Sequence, residues 1–186
     1  TAEILTGEPV KTLPAPPDVL LSQEYPPIKV IGQGIFGTVR TAICKENGSE
    51  YAVKLLKVED NTDDDEQIHL IFAASTYSAL NHPSIVTIYG INFRSIIDLH
   101  KYQPTILIQY IQNGSLKQIY EKVKKNDIPS YWNTTTKYIC ILGISIAMLY
   151  LHNNEIMHLD LKPENILFDE NYYPLVCDIG LYFCLP

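Results

Sequence analysis

The 186-residue sequence predicts an α+β protein of two unlike halves, β-rich first and helical second. Two observations predict it. Between residues 28 and 57, β-branched runs alternate with glycine turns, whereas "LKQIYEKVKKN" and "TTKYICILGISIAMLYLHNN" carry apolar residues at helical spacing. The change falls near Gln109 to Gly114, where "QNGS" is a turn sequence, so the halves should join there.

Half of the twelve prolines lie in the first 27 residues, so residues 1–24 cannot propagate a helix and read as an extended lead-in with little order. "IKVIGQGIFGTVRTAIC" and "GSEYAVKLLKV", which turn through glycines and through Asn47-Gly48, read as an antiparallel meander. The acidic block Glu59 to Glu66 suits a loop and helix start, because a helix N-terminus favours negative charge. A helix from Asp64 to Leu80 should end at "NHP", since a residue before proline resists helical geometry. "SIVTIYGINF" and "TILIQYI" are two further strands, followed by a short helix and a long one expected to be buried on most sides.

A composition of 46% hydrophobic and 19% charged residues with a net charge of -7 describes a soluble globular chain and argues against nucleic acid or an anionic membrane as partner. Cys44, Cys140, Cys177 and Cys184 show no C-x-x-C spacing and no secretory leader precedes them, so reduced thiols and a cytoplasmic location are expected. The longest apolar run, Ile139 to Leu151, is 13 residues, short of the ~20 that span a bilayer, so no membrane span is expected. A chain that opens on Thr1 rather than Met suggests a fragment or a processed product.

"GQGIFG", Gly32 to Gly37, lies between two strands, where glycines let backbone N–H groups close over a phosphate chain. Lys54 in "YAVK", 17 residues beyond Gly37, would bring an ammonium toward the same phosphates. In "HLDLKPEN", Asp160 can accept a proton from an attacking hydroxyl, Lys162 can neutralise a transferred phosphoryl group and Asn165 can hold a metal. Thirteen residues on, Asp178 in "CDIG" offers a second oxygen ligand of the kind that suits Mg²⁺.

Taken in order, "IGQGIFGTV", "AVK", "HPSIV", "HLDLKPEN" and "DIG" resemble the successive motifs of a eukaryotic protein kinase over about residues 25 to 181. The resemblance implies a small lobe at 25–108 built as a five-stranded sheet with one helix, a hinge at 109–114, part of a helical lobe at 115–186, and ATP with Mg²⁺ between the lobes. It further implies that Ile31, Val39, Ala52 and Leu167 sandwich adenine, that Ile108 is the gatekeeper, and that Gln109 and Ile111 bond the base through their backbone. Gly32, Gly34, Phe36 and Gly37 would cover the phosphates with Lys54 beside them, Asp160, Lys162 and Asn165 would be catalytic, and Asn165 with Asp178 would hold the metal. Lys162, two residues after Asp160, is similar to the serine/threonine pattern, while "IVTIYG" and "QYIQNGSL" look like the tyrosine-kinase-like branch. The implied partner is a protein substrate.

Three departures stand out. Leu159 replaces the arginine that pairs with a phosphorylated activation loop in many kinases, and Ile179 replaces the phenylalanine between Asp178 and Gly180 while keeping an apolar plug. Ala73 stands ten residues before Pro83, where a glutamate that pairs with Lys54 is expected; the nearest upstream acid, Glu66, is two helical turns away, which leaves Lys54 without its usual partner. The sequence also stops six residues after Gly180, before an activation segment and the helices that follow it in that family. Two functions therefore compete: an ATP-dependent serine/threonine kinase, and a pseudokinase that binds nucleotide or partners without efficient turnover.

Overall fold

The alternation in "GTVRTAI" and "EYAVKLL" sends successive side chains to opposite faces of a sheet. The turn between these strands closes as "NG" predicts: Gly48 takes φ +71°, its N–H donates to the carbonyl of Cys44 at 2.9 Å, and the Asn47 side chain accepts from the N–H of Ser49 at 2.9 Å. A computed structural model describes residues 25–34, 37–57, 77–92 and 105–179. They fall into two units, each with its own architecture: residues 25–80 and 87–110 in one, residues 81–86 and 111–179 in the other.

The first unit is a five-stranded antiparallel sheet of β1 (Pro27–Gly34), β2 (Gly37–Ile43), β3 (Glu50–Leu56), β4 (Ile88–Asn92) and β5 (Thr105–Gln109), in the order β1-β2-β3-β5-β4. Register decides which residues share a face. Val39 pairs with Lys54, and Ala52 and Lys54 pair with Ile108 and Ile106, so these five lie on one side, where Leu56, Ile91 and Ile106 form a buried cluster. On the other side Ala42, Val53 and Leu107 are buried beneath Tyr25, Tyr51 and Leu55, and Tyr51 meets Tyr25 and Tyr89 edge-on at 5.2 and 5.3 Å. Both faces thus carry apolar clusters.

The second unit holds α1 (Leu116–Lys124), α2 (Thr134–Asn153) and a short antiparallel hairpin of β6 (Ile166–Phe168) and β7 (Pro174–Val176). Helix α1 starts in a full capping box, with Ser115 and Gln118 each accepting from the other's backbone N–H, and Asn133 caps α2 by accepting from Thr136 N–H at 3.1 Å. Three-residue strands cannot stand alone, and both free edges of this hairpin are covered. Segment 84–86 lines the β7 edge, where Val86 and Val176 donate to the carbonyls of Val176 and Ser84 at 2.9 and 2.8 Å; Ser115 bridges Leu167 on the β6 edge. Trp132 meets the fully buried Phe168 edge-on at 5.9 Å, and Tyr131 stacks on Tyr172 at 3.8 Å.

Three expectations need adjustment. The strand read over "SIVTIYGINF" is continuous only over Ile88–Asn92, because residues 84–86 serve the β7 edge instead. Helix α2 is less enclosed than its apolar run implies: Cys140, Ala147, Tyr150 and Leu151 are buried, but Tyr138 is 70% and Ile141 63% exposed, with Leu142 and Leu149 beside them. Its length and composition would let it cross a membrane, yet its packed face is anchored, as Tyr150 Oη accepts from the N–H of Asn81 and its ring lies 4.9 Å from that of His82. The sequence reading also assigned no strands to 166–168 and 174–176. The helix expected over 64–80 falls outside the described residues apart from its last turn, where Tyr77 and Ser78 are helical. Residues 1–24, Ala73 and Glu66 lie outside them too.

Candidate active site

In the sheet unit, Gly34 pairs with Gly37 across the residues Ile35 and Phe36, which lie outside the described set. Gly37 has φ +140°, and a Cβ there would fall within bonding distance of the Leu55 carbonyl oxygen, so only glycine lets β2 approach β3 this closely. At Gly34 a Cβ would meet no atom of the described residues within 4 Å. Val39, Ala52, Lys54 and Ile108 share the face described above, with Gly32 opposite Val39. Ile31 sits in the irregular step between Val30 and Gly32 and is partly exposed, and Gln109 closes β5 with its N–H donated to the carbonyl of Thr87 at 2.9 Å. Lys54 is only 4% exposed and is engaged in an interaction; the expectation that it lacks its usual carboxylate turns on Ala73 and Glu66, which lie outside the described residues.

In the helical unit, "HLDLKPEN" folds as a tight loop ending in a single 3-10 turn, Pro163–Asn165, where proline sits at the first position that needs no N–H. Lys162 Nζ lies 2.6 Å from Asp160 Oδ2. The Asn165 amide donates to the same oxygen at 3.1 Å and to the backbone carbonyl of Asp160 at 2.8 Å. Partial desolvation alone would push the Asp160 carboxyl up; the hydrogen bonds from Lys162 and Asn165 outweigh it and hold the group below its ordinary value, so it is ionised at neutral pH. The same contact raises the Lys162 ammonium. Asn165, 5% exposed, is the most enclosed of the three.

His158 was not singled out in the sequence, although its position two residues before the acid was the available signal. It is 1% exposed. Its Nδ1 accepts the N–H of Asp160 at 3.3 Å, so the neutral ring carries its proton on Nε2, which donates to the carbonyl of Cys177 at 3.0 Å. Burial keeps the ring neutral by lowering its pKa. The N–H of Cys177 in turn donates to the carbonyl of Asn165 at 3.0 Å, so the loop and the segment that carries Asp178 are tied twice. Asp178 itself takes φ +57°, and Ile179 beside it is buried, as an apolar plug requires. Leu167 faces Leu175 across the hairpin and is half-buried, as is Ile111. Asp160, Lys162 and Asn165 are thus in direct contact, with Asp178 one residue from the Asn165–Cys177 bond.

The donor chemistry fits Mg²⁺. Because the Asn165 nitrogen is committed to Asp160, its carbonyl oxygen could act as a hard ligand, and Asp178 carries a carboxylate that could act as a second. No group of three His, Cys, Asp or Glu side chains suited to a metal occurs among the described residues.

The family model of the protein kinase domain matches residues 25–183. Relatives include a PR5-like receptor kinase of Arabidopsis thaliana, 32% identical over 155 residues, which are 82% of this chain and 21% of the relative. Serine/threonine-protein kinase SSK22 of Saccharomyces cerevisiae is 33% identical over 151 residues, 81% of this chain and 10% of its own length. The yeast MAP kinase kinase kinase SSK2 is 32% identical over 151 residues, 81% of this chain and 9% of its own length. The chain therefore spans about a fifth or less of these curated relatives. With the five-stranded sheet, the helical unit and the ordered motifs in agreement, the chain belongs to the protein kinase domain family.

Proposed function

We propose that this chain carries the phosphoryl-transfer groups of a serine/threonine protein kinase, taking the γ-phosphoryl group of ATP to a protein hydroxyl. The observation that supports it most is the Asp160 carboxylate, held ionised between the Lys162 ammonium and the Asn165 amide. A base that is charged and aimed before substrate arrives suits a reaction that depends on positioning and charge neutralisation. Asp160 accepts the hydroxyl proton and Lys162 neutralises the transferred group. Asn165 and Asp178 hold Mg²⁺, which when bound with ATP screens the phosphate charge. Lys54 would pair with the phosphates, and the turn of Gly32, Gly34, Phe36 and Gly37 would offer them backbone N–H groups. The adenine contacts that the family resemblance gives Ile31, Val39, Ala52, Leu167, Gln109 and Ile111 are part of this reading.

Serine/threonine preference rests on Lys162 two residues past Asp160 and on relatives that bear that name. The four cysteines, without C-x-x-C spacing, make a reducing, cytoplasmic setting part of this reading. The test is transfer of labelled phosphate from ATP to a generic protein substrate by the full-length gene product. Asp160→Asn should lower the rate at least ~100-fold, the range of general-base catalysis. Equal incorporation by the two proteins would reject the proposal, and Mg²⁺-dependent ATP binding without turnover in the wild type would identify a pseudokinase.

A further inference from the structure

The β6 strand is three residues long, pairs with a partner of equal length and follows directly on Asn165, so its register has to be set from outside the hairpin. Residues 113–117 do this. They run alongside 164–169 with contacts at four points: the Asn113 amide donates to the carbonyl of Asp169, the carbonyl of Gly114 accepts the N–H of Phe168 at 3.0 Å, Ser115 bridges Leu167, and Lys117 Nζ lies 3.1 Å from Glu164 Oε1. Of the two side-chain contacts, the ion pair is about half exposed at each end, where such pairs contribute little. The Asn113 amide is part-buried and bonds a backbone carbonyl.

A turn asparagine before a helix often serves the helix itself, but here that work is done by others. Gly114 makes the bend at φ +74°, and Ser115 with Gln118 completes the cap without Asn113. The Asn113 side chain is left to hold β6.

We propose that Asn113 is a positioning residue for Asn165: by pinning the far end of β6 it holds the backbone from which the Asn165 carboxamide reaches Asp160 and offers its oxygen to Mg²⁺. The inference rests on the kinase reading above. Asn113 touches Asp169 rather than the reacting groups, so its effect passes through the strand. Loss of the clamp lets Asn165 drift, and a ligand displaced by a fraction of an ångström weakens metal binding more than it weakens recognition of the protein substrate.

The experiment uses the full-length gene product with Asn113→Asp, which keeps the shape and removes the donor, Asn113→Ala, and Asn113→Gln, which restores a donor. Mg²⁺ is titrated at saturating ADP and read by thermal shift, alongside hydrogen exchange at the Cys177 amide. The Asp and Ala variants should need about tenfold more Mg²⁺ for the half-maximal shift and exchange the Cys177 amide faster. Their KM for protein substrate should stay unchanged, and the Gln variant should recover most of the Mg²⁺ response. A Mg²⁺ midpoint within about twofold of wild type in both the Asp and Ala variants, or an unchanged Cys177 exchange rate, overturns the inference even if the wild type phosphorylates substrate. Equal phosphate transfer by wild type and Asp160→Asn would instead remove the kinase reading itself.

Discussion

The N–H of Cys177 donates to the carbonyl of Asn165 at 3.0 Å, which fastens the residue before β6 to the residue after β7. Two oxygen-bearing side chains, Asn165 and Asp178, are thereby carried on the two ends of one hairpin, 13 residues apart in sequence. The fold converts a sequence interval into adjacency.

The charge on Asp160 depends on its neighbours. Desolvation favours the neutral acid, and the Lys162 contact opposes it. With a folded-state value below the ordinary 3.8, this group contributes stability at higher pH that is lost as pH falls through the lowered value. Lys162→Met should move the Asp160 titration to higher pH, read from its side-chain carboxyl resonance. A titration that does not move would show that Asn165 alone holds the charge.

Gly143 of α2 faces Pro174, and a Cβ there would fall 2.4 Å from the proline Cγ. On an open helix surface, glycine to alanine gains about 1 kcal/mol. At this contact overpacking should dominate, and Gly143→Ala should lose ~1–3 kcal/mol in a denaturant titration. The sign is the test.

Leu159 holds φ +64°, a left-handed conformation that costs an L-residue about 1–2 kcal/mol, and its side chain is partly exposed. Asparagine tolerates this region, so Leu159→Asn should raise the unfolding free energy by ~1 kcal/mol. A loss of stability would mean that the leucine side chain makes a contact worth more than the backbone relief.

His82 is buried, its Nδ1 accepts the N–H of Ser84 at 3.1 Å, and its Nε2 has no hydrogen-bond partner among the described residues. Desolvation lowers its pKa below 6.5, so the unfolded chain takes up the proton first and stability falls as pH drops from 6.5 toward the folded value. His158 has the same sign, also from burial. His82→Asn, whose side-chain oxygen can stand in for Nδ1, should flatten part of the acid loss in melting temperature between about pH 6.5 and 5 and leave the share owed to His158.

The meander of β1, β2 and β3 was legible because β-branched residues alternate between glycine turns, and both helices were legible from apolar residues at helical spacing, while their caps at Ser115 and Asn133 were seen only in the structure. The trio Asp160, Lys162 and Asn165 was legible from spacing alone, since three residues within six cannot stray far from one another. What escaped was non-local. Strands of three residues in β6 and β7 carry no period, and their pairing is set by edges contributed from 84–86 and 115. His158 gave no sign of its bond to Cys177, 19 residues away, and the exposure of Tyr138 and Ile141 cannot be read from an apolar run that looks the same whether buried or bare.

The chain has a single tryptophan, Trp132, seated against Phe168, while the edge-to-edge tyrosines 25, 51 and 89 belong to the sheet. Indole emission therefore reports on the hairpin that bears Asn165 and Asp178. That half can thus be followed through denaturant or ligand with no label attached.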